Sequence, residues 1–165
     1  MFYSSNPRCK LGDGRIQIMQ PPRALGRISD VDMDALKVVV GHQKVLETSG
    51  VGPCFPICAR GLTAEGVPVL GLAHTCVAIE DMFSRLKSKM LKKNCLEDTL
   101  ETFVVGGESP NRTNPEGSVE DEIEIAKLVR EYKTKELLFN FVNAQSLSES
   151  LGVVLTPDLI YVNKE

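Results

Sequence analysis

A threonine, a cysteine and a histidine at positions 48, 54 and 74 have the residue types and spacing for nucleophilic chemistry. A thiol is a weak nucleophile until a neighbouring imidazole takes its proton, and the imidazole works best when a third group holds its other nitrogen in one tautomer. Cys54 opens the β-prone run Cys54-Phe-Pro-Ile-Cys-Ala59, and His74 closes the run Val67-Pro-Val-Leu-Gly-Leu-Ala-His74. Joined through the polar connection Gly61 to Gly66 and centred near Ala64, the two runs form a hairpin that sets Cys54 opposite His74. Opposed side chains on one sheet face have Cβ atoms about 4.5 to 5.5 Å apart, within thiol-to-imidazole reach. A similar turn around Val51 sets Thr48, at the end of Gln43 to Thr48, opposite Cys54. Cys54 then attacks, His74 accepts the proton, and Thr48 orients the ring. Gly50 and Gly52 let the turn bring backbone N–H groups to an incoming carbonyl, an oxyanion loop completed by the Cys54 amide.

The same residues have a plainer reading. Free cysteine is among the most often buried residue types, so Cys54 to Cys58 is also consistent with a packed core strand whose edge satisfies His74. A metal set of Cys54, Cys58, His74 and Cys76 is the weaker alternative. A strand rising about 3.3 Å per residue separates Cys54 from Cys58 by about 13 Å, too far to share a zinc ion. No metal and no cofactor is expected. Cys9, Cys54, Cys58, Cys76 and Cys95 are an odd number with no export signal before them, which favours free thiols in a reducing compartment.

The elements that must position these groups follow from periodicity. Residues 1–34, with Pro7, Pro21, Pro22 and several glycines, read as an N-terminal arm in which only Arg15-Ile-Gln-Ile-Met19 suggests a short strand or helix fragment, and 35–165 as the folded domain. A meander of strands opens the domain, including Lys37 to Val40 and the runs above. Ala78 to Lys93 reads as a helix with Ile79, Met82, Phe83, Leu86 and Met90 on one stripe. Thr99 to Val105 is a strand entering Gly106-Gly107, a tight turn beside the active-site edge. Glu108 to Gly117 is a surface loop whose Asn111-Arg-Thr113 sequon carries no weight without a secretory signal. Ser118 and Asp121 suggest a capping box opening a helix to Tyr132, with Ile125, Leu128, Val129 and Tyr132 buried and the acidic stretch Glu116 to Glu124 solvated. Glu136 to Val142 is a strand, and Gly152 to Asn163 is a closing hairpin around Pro157-Asp158. This order predicts an α/β (α+β) layered sandwich with a mixed, largely antiparallel sheet packed with helices.

Composition limits the partners. The chain of 165 residues has 42% hydrophobic and 25% charged residues, which suits one core-bearing domain. Nineteen Lys and Arg against 22 Asp and Glu leave a net charge of −3, with no global positive field for nucleic acid or an anionic membrane. The most apolar stretch, Val67 to Ile79, is too short to span a bilayer, so no membrane insertion and a cytoplasmic location are expected.

Thr48-Ser-Gly50-Val-Gly52-Pro-Cys54, followed by Gly71-Leu-Ala-His74, resembles the Thr-x-Gly-x-Gly-Ser-Cys and Gly-x-x-His signatures of CheD-type chemoreceptor glutamine deamidases. Pro53 stands where the family has serine, and the connection from Cys54 to His74 is a few residues longer. The likeness extends in outline from about Lys37 to the end, and residues 1–34 have no counterpart in it. It implies Cys54 as nucleophile, His74 as general base and Thr48 as orienting group, on an α/β sandwich shared with deamidating toxins of the cytotoxic necrotising factor type. It implies a protein-glutamine amidohydrolase without cofactors, with a chemoreceptor or other glutamine-bearing protein as substrate and a chemotaxis regulatory protein as a further partner. The alternatives are an effector delivered into a host cell to deamidate a host protein, another thiol hydrolase such as a transglutaminase or protease, and a non-catalytic interaction module that uses the arm and the loop from Gly106 to Gly117.

Overall fold

The computed structural model describes residues 15–23, 25–108, 115–142 and 150–165. Of the sequence features above, Cys9, the first part of the arm and the Asn111 sequon lie outside the described residues. The chain forms two five-stranded sheets and two α-helices among the described residues, a mixed α/β sandwich as the order of elements predicted.

The first sheet contains β3 (Leu36–Val40), β5 (Phe55–Leu62), β6 (Pro68–Thr75), β7 (Glu101–Glu108) and β8 (Thr134–Val142), in the order β3-β6-β5-β7-β8. The second contains β1 (Ile16–Ile18), β2 (Arg27–Asp30), β4 (Lys44–Val51), β9 (Leu151–Leu155) and β10 (Ile160–Lys164), in the order β1-β10-β9-β4-β2. Most pairings are antiparallel; β1 with β10, β2 with β4 and β7 with β8 are parallel. The stretch 1–34, expected to be an arm, supplies two edge strands: β1 falls in the Arg15 to Met19 fragment, whereas β2 was not expected. β1 is held across the sandwich by a buried carboxylate, because Glu136 on β8 accepts hydrogen bonds from the amides of Arg15 and Ile16.

Strand alternation sorts the first sheet's side chains between two cores. Phe55, Ile57, Ala59, Val104, Leu137 and Phe139 meet the helices, whereas Cys54, Cys58, Leu70, Leu72, Phe103, Val105 and Leu138 meet the second sheet. The layers thus run helices, first sheet, second sheet. Helix α1 (Ile79–Lys92) buries the expected stripe of Ile79, Met82, Phe83, Leu86 and Met90. It enters without a side-chain cap, through Ala78 in a left-handed conformation, with Glu80 and Asp81 in its first turn and Lys89 and Lys92 in its last, matching the helix dipole. Lys87 departs from that scheme and pairs with Glu97 at 2.9 Å.

Helix α2 (Val119–Leu128) is shorter than expected, and turns carry the chain from it to Tyr132. Its stripe is confirmed at Ile125, Leu128 and Tyr132, with Val129 partly buried. The capping box does not form. The Ser118 hydroxyl instead accepts the Glu108 amide at 2.7 Å and lies 3.2 Å from the carboxyl of Glu122. Glu122 is itself buried, so the acidic stretch is not wholly a solvated face. No helix among the described residues is long and apolar enough to cross a membrane.

Candidate functional site

The site lies at one end of the interface between the sheets, where β4, β5 and β6 converge. The hairpin of β5 and β6 exists, and its register differs from the expected one by a single diagonal step. His74 pairs with Pro56, and Phe55 with Thr75, because the turn is centred on Glu65 rather than Ala64. Cys54 consequently stands opposite Cys76, not His74. Side chains alternate with a period of two, so a two-residue shift leaves Cys54 and His74 on the same face as diagonal neighbours.

Thr48 reaches the site by another route than the expected hairpin. β4 does not pair with β5; it belongs to the opposite sheet, with Thr48 in register with Val153. The Gly52-Pro53-Cys54 connection carries the chain from one sheet to the other, so Thr48 meets His74 across the sandwich. Its hydroxyl lies 2.7 Å from the Val31 carbonyl and 2.8 Å from His74 Nδ1. A carbonyl only accepts, so the single hydroxyl proton goes to Val31, and Thr48 must accept from the imidazole. Nδ1 therefore carries the ring proton, and Nε2 carries the lone pair. The loop before β3 grips His74 further: the Asp34 amide donates to its carbonyl at 2.7 Å, and its own amide donates to Ala35 at 3.0 Å.

His74 is only 2% exposed, and its Nε2 has no hydrogen-bond partner among the described residues. Burial lowers its pKa, partly opposed by the charge of Asp34, which favours the neutral imidazole a general base requires. A ring nitrogen of His74 and the sulfurs of Cys54 and Cys76 all lie within 4.8 Å of one another. Since Nδ1 is committed to Thr48, Nε2 is the nitrogen with a lone pair to offer. The three expected catalytic residues, Thr48, Cys54 and His74, are thus gathered in one buried cluster.

The expectation of free thiols requires correction. Cys54 and Cys76 form a disulfide, with Cα atoms 4.3 Å apart, because the register places them directly opposite at adjacent strand ends. Cys58 and Cys95 are free and buried, and burial pushes the Cys58 thiol up to about 12. Cys58 points to the same face as Cys54 but does not belong to the cluster, so the metal set weighed from sequence loses that ligand. Only with the bridge reduced would Cys54, Cys76 and His74 offer two thiolates and an imidazole to a cation.

The expected oxyanion loop is modified as well. Gly50 lies within β4 at a bulge between Thr48 and Val51, and its amide donates to the Glu165 carboxylate at 2.9 Å. Gly52 follows the strand, beside open space. Gly106 and Gly107 form a bulge inside β7 rather than a tight turn, and they do adjoin the site. The Gly107 amide donates to the Cys54 carbonyl at 3.2 Å, and a Cβ on Gly106 would come within 2.4 Å of that oxygen. Both have positive φ, so glycine is required here twice over, by conformation and by space. His42 is exposed in a turn and takes no part.

Sequence reasoning missed Val31, Asp34 and the Cys76 sulfur as Cys54's partner. Cys76 was legible in principle, since the diagonal spacing of two that relates it to His74 puts both on one strand face. The other two come from a loop whose approach no local pattern announces. Compared with known proteins, the sequence matches no family model and no curated protein.

Proposed function

We propose that the chain, with the Cys54–Cys76 bridge reduced, is a cofactor-free protein-glutamine deamidase of the kind its Thr48, Cys54 and His74 motifs resemble, the CheD type. The observation that carries this reading is the relay from the Val31 carbonyl through Thr48 to His74 Nδ1, which leaves Nε2 buried without a partner on a ring that has a nitrogen within 4.8 Å of the Cys54 sulfur. An unpaired buried acceptor costs about 1 to 3 kcal/mol, and a thiol proton at Cys54 would satisfy it.

In this mechanism Nε2 takes the Cys54 proton and the thiolate attacks the side-chain carboxamide carbon of a glutamine. The oxygen anion of the tetrahedral intermediate is met by backbone amides of the turn before Cys54, with Gly52 and Cys54 itself as the donors. Gly50 would join them only on releasing Glu165. As the intermediate collapses, the C–N bond breaks and the imidazolium gives its proton to the departing ammonia. Water, deprotonated by Nε2, then attacks the thioester; the C–S bond breaks, the thiolate is restored and glutamate remains. Thr48 holds Nδ1–H throughout, so the imidazolium keeps the proton it must deliver on Nε2. Each turnover replaces a neutral side chain with an anion, enough to bias a helical receptor bundle electrostatically.

The test is mass spectrometry of a bacterial chemoreceptor cytoplasmic domain incubated with the fully reduced protein, together with ammonia release. Glutamine-to-glutamate conversion by wild type, absent from Cys54→Ser and His74→Ala, is the expected result. Equal conversion by the variants, or none by reduced wild type while its Cys54 alkylates no faster than Cys58, would sink the assignment.

A further inference from the structure

We infer that Cys54 and Cys76 form a reversible oxidation site, in which Cys76 is the resolving thiol and the sulfur at which a reductant attacks. The inference rests on the reading of Cys54 as nucleophile only for its functional consequence, a deamidase silenced by oxidation. The pairing itself stands on geometry.

Three observations support it. The bridge joins strand ends that the β5–β6 ladder already holds in register from Phe55↔Thr75 to Leu62↔Pro68, so it adds no topology the hydrogen bonds lack. The bridged state also leaves Nε2 of His74, a residue only 2% exposed, without a partner, on a ring that has a nitrogen within 4.8 Å of both sulfurs, neither of which then carries a proton. Reduction supplies that proton. Finally, the two sulfurs differ in access. Cys54 is buried, whereas Cys76 is half-buried and flanked by the exposed residues Val77 and Met33, the Met33 sulfur lying 3.8 Å from Cys76 Sγ. An incoming thiol meets Cys76 first.

The chemistry closes in both directions. In reduction, one thiolate of a dithiol attacks Cys76 Sγ; the S–S electron pair departs on Cys54, which takes up a proton and shares it with Nε2. The second thiol of the reductant then attacks its own sulfur in the mixed disulfide and frees Cys76, leaving the reductant as a disulfide. In oxidation, the Cys54 thiolate attacks a peroxide oxygen, the O–O bond breaks, the departing hydroxide takes the imidazolium proton to become water, and Cys54 becomes a sulfenic acid. Cys76 thiolate attacks that sulfur, the S–O bond breaks, and the hydroxide released takes a proton to become water. Cys58 and Cys95 are buried with raised thiol pKa values and compete poorly for either step.

The experiment exposes the full-length chain to hydrogen peroxide and then to dithiothreitol under native conditions, and follows each cysteine by differential alkylation and mass spectrometry. Ammonia release is measured in parallel on the chemoreceptor domain. A Cys54–Cys76 bridge that forms and reopens, with activity falling at least tenfold and recovering, is the expected result. Cys76→Ser should remain active through mild disulfide stress by oxidised glutathione, yet lose activity irreversibly to peroxide, because a sulfenic acid with no resolving partner is carried on by further peroxide to sulfinic acid, which dithiothreitol does not reduce. Bridging to Cys58 or Cys95, a bridge that native dithiothreitol never opens, or a Cys76→Ser protein that recovers from peroxide as wild type does, overturns the inference. A bridge that cycles in a protein releasing ammonia in neither form supports the oxidation site and overturns the deamidase reading instead.

Discussion

Two buried polar clusters flank Cys54, one on each face of the first sheet, and they are built to opposite ends. On the helix side, the Cys54 carbonyl accepts the Gly107 amide, and next to Gly107 the Ser118 hydroxyl joins the Glu108 amide to the Glu122 carboxyl. Hydrogen bonds close this cluster. On the inner side, Val31, Thr48 and His74 form an equally definite chain that stops one atom short, at Nε2. Fully paired buried groups rigidify a fold, whereas a buried polar atom left without a partner calls for a reason. On the proposed reading the outer cluster serves support and the inner one chemistry.

The two clusters also titrate in opposite senses. Burial lowers the His74 pKa below its ordinary 6.5, so folding binds fewer protons there than the unfolded chain does. Its contribution to stability is present above about pH 6.5 and is lost as pH falls. Burial raises Glu122 from 4.5 to about 7, with the Ser118 hydrogen bond opposing part of the rise. That contribution is present below 4.5 and is lost as pH rises through about 7.

Substitutions can break or sharpen this division, and the largest effects belong to the inner cluster. His74→Ala should lower deamidation by about 10²- to 10⁴-fold, the range for a positioned general base. It should also slow alkylation of reduced Cys54 at neutral pH while leaving Cys58 unchanged, as site-resolved labelling would show. Thr48→Val leaves Nδ1 without its acceptor and the Val31 carbonyl without its donor, so a loss of about 10- to 100-fold is expected, as for groups that orient a histidine. Because the tautomer is no longer held, the activity–pH profile should shift as well, which simple destabilisation would not produce.

On the outer side, Gly106→Ala places a methyl group 2.4 Å from the Cys54 carbonyl at φ +117, and about 1 to 3 kcal/mol should be lost in denaturant unfolding. Activity should fall with it, since that carbonyl belongs to the residue proposed as nucleophile. The smallest effect is expected from Glu122→Gln, which keeps an acceptor for Ser118 and removes the charge. Melting near pH 5 should match wild type, and near pH 8 the variant should be the more stable. An activity loss comparable with that of Thr48→Val would contradict the assignment of this cluster to support.

The parts of this architecture that were legible in the sequence are those set by local repetition. The stripe from Ile79 to Met90, the hairpin of β9 and β10, and the strands around Cys54 and His74 all follow from alternation or from a period near 3.6. Even the error in the β5–β6 register was harmless to the site, because a shift of two residues preserves the face. The two-sheet arrangement was not legible. Only Gly52, Pro53 and Cys54 separate β4 from β5, a length equally suited to a hairpin and to a crossing between sheets. β1 and β2 gain strand structure from parallel pairing with β10 and β4, partners that no composition in residues 1–34 signals.

By itself the sequence determined that Cys54, Cys58, His74 and Cys76 lie toward one side of their strands and which faces of the helices are apolar, since those are properties of backbone periodicity. Tertiary structure decided that Thr48 reaches His74 from the opposite sheet, that Val31 fixes the tautomer, and that Cys54 meets Cys76 before any substrate. Each depends on which distant segments share a core, and that is settled by burying the inner faces of two sheets against one another.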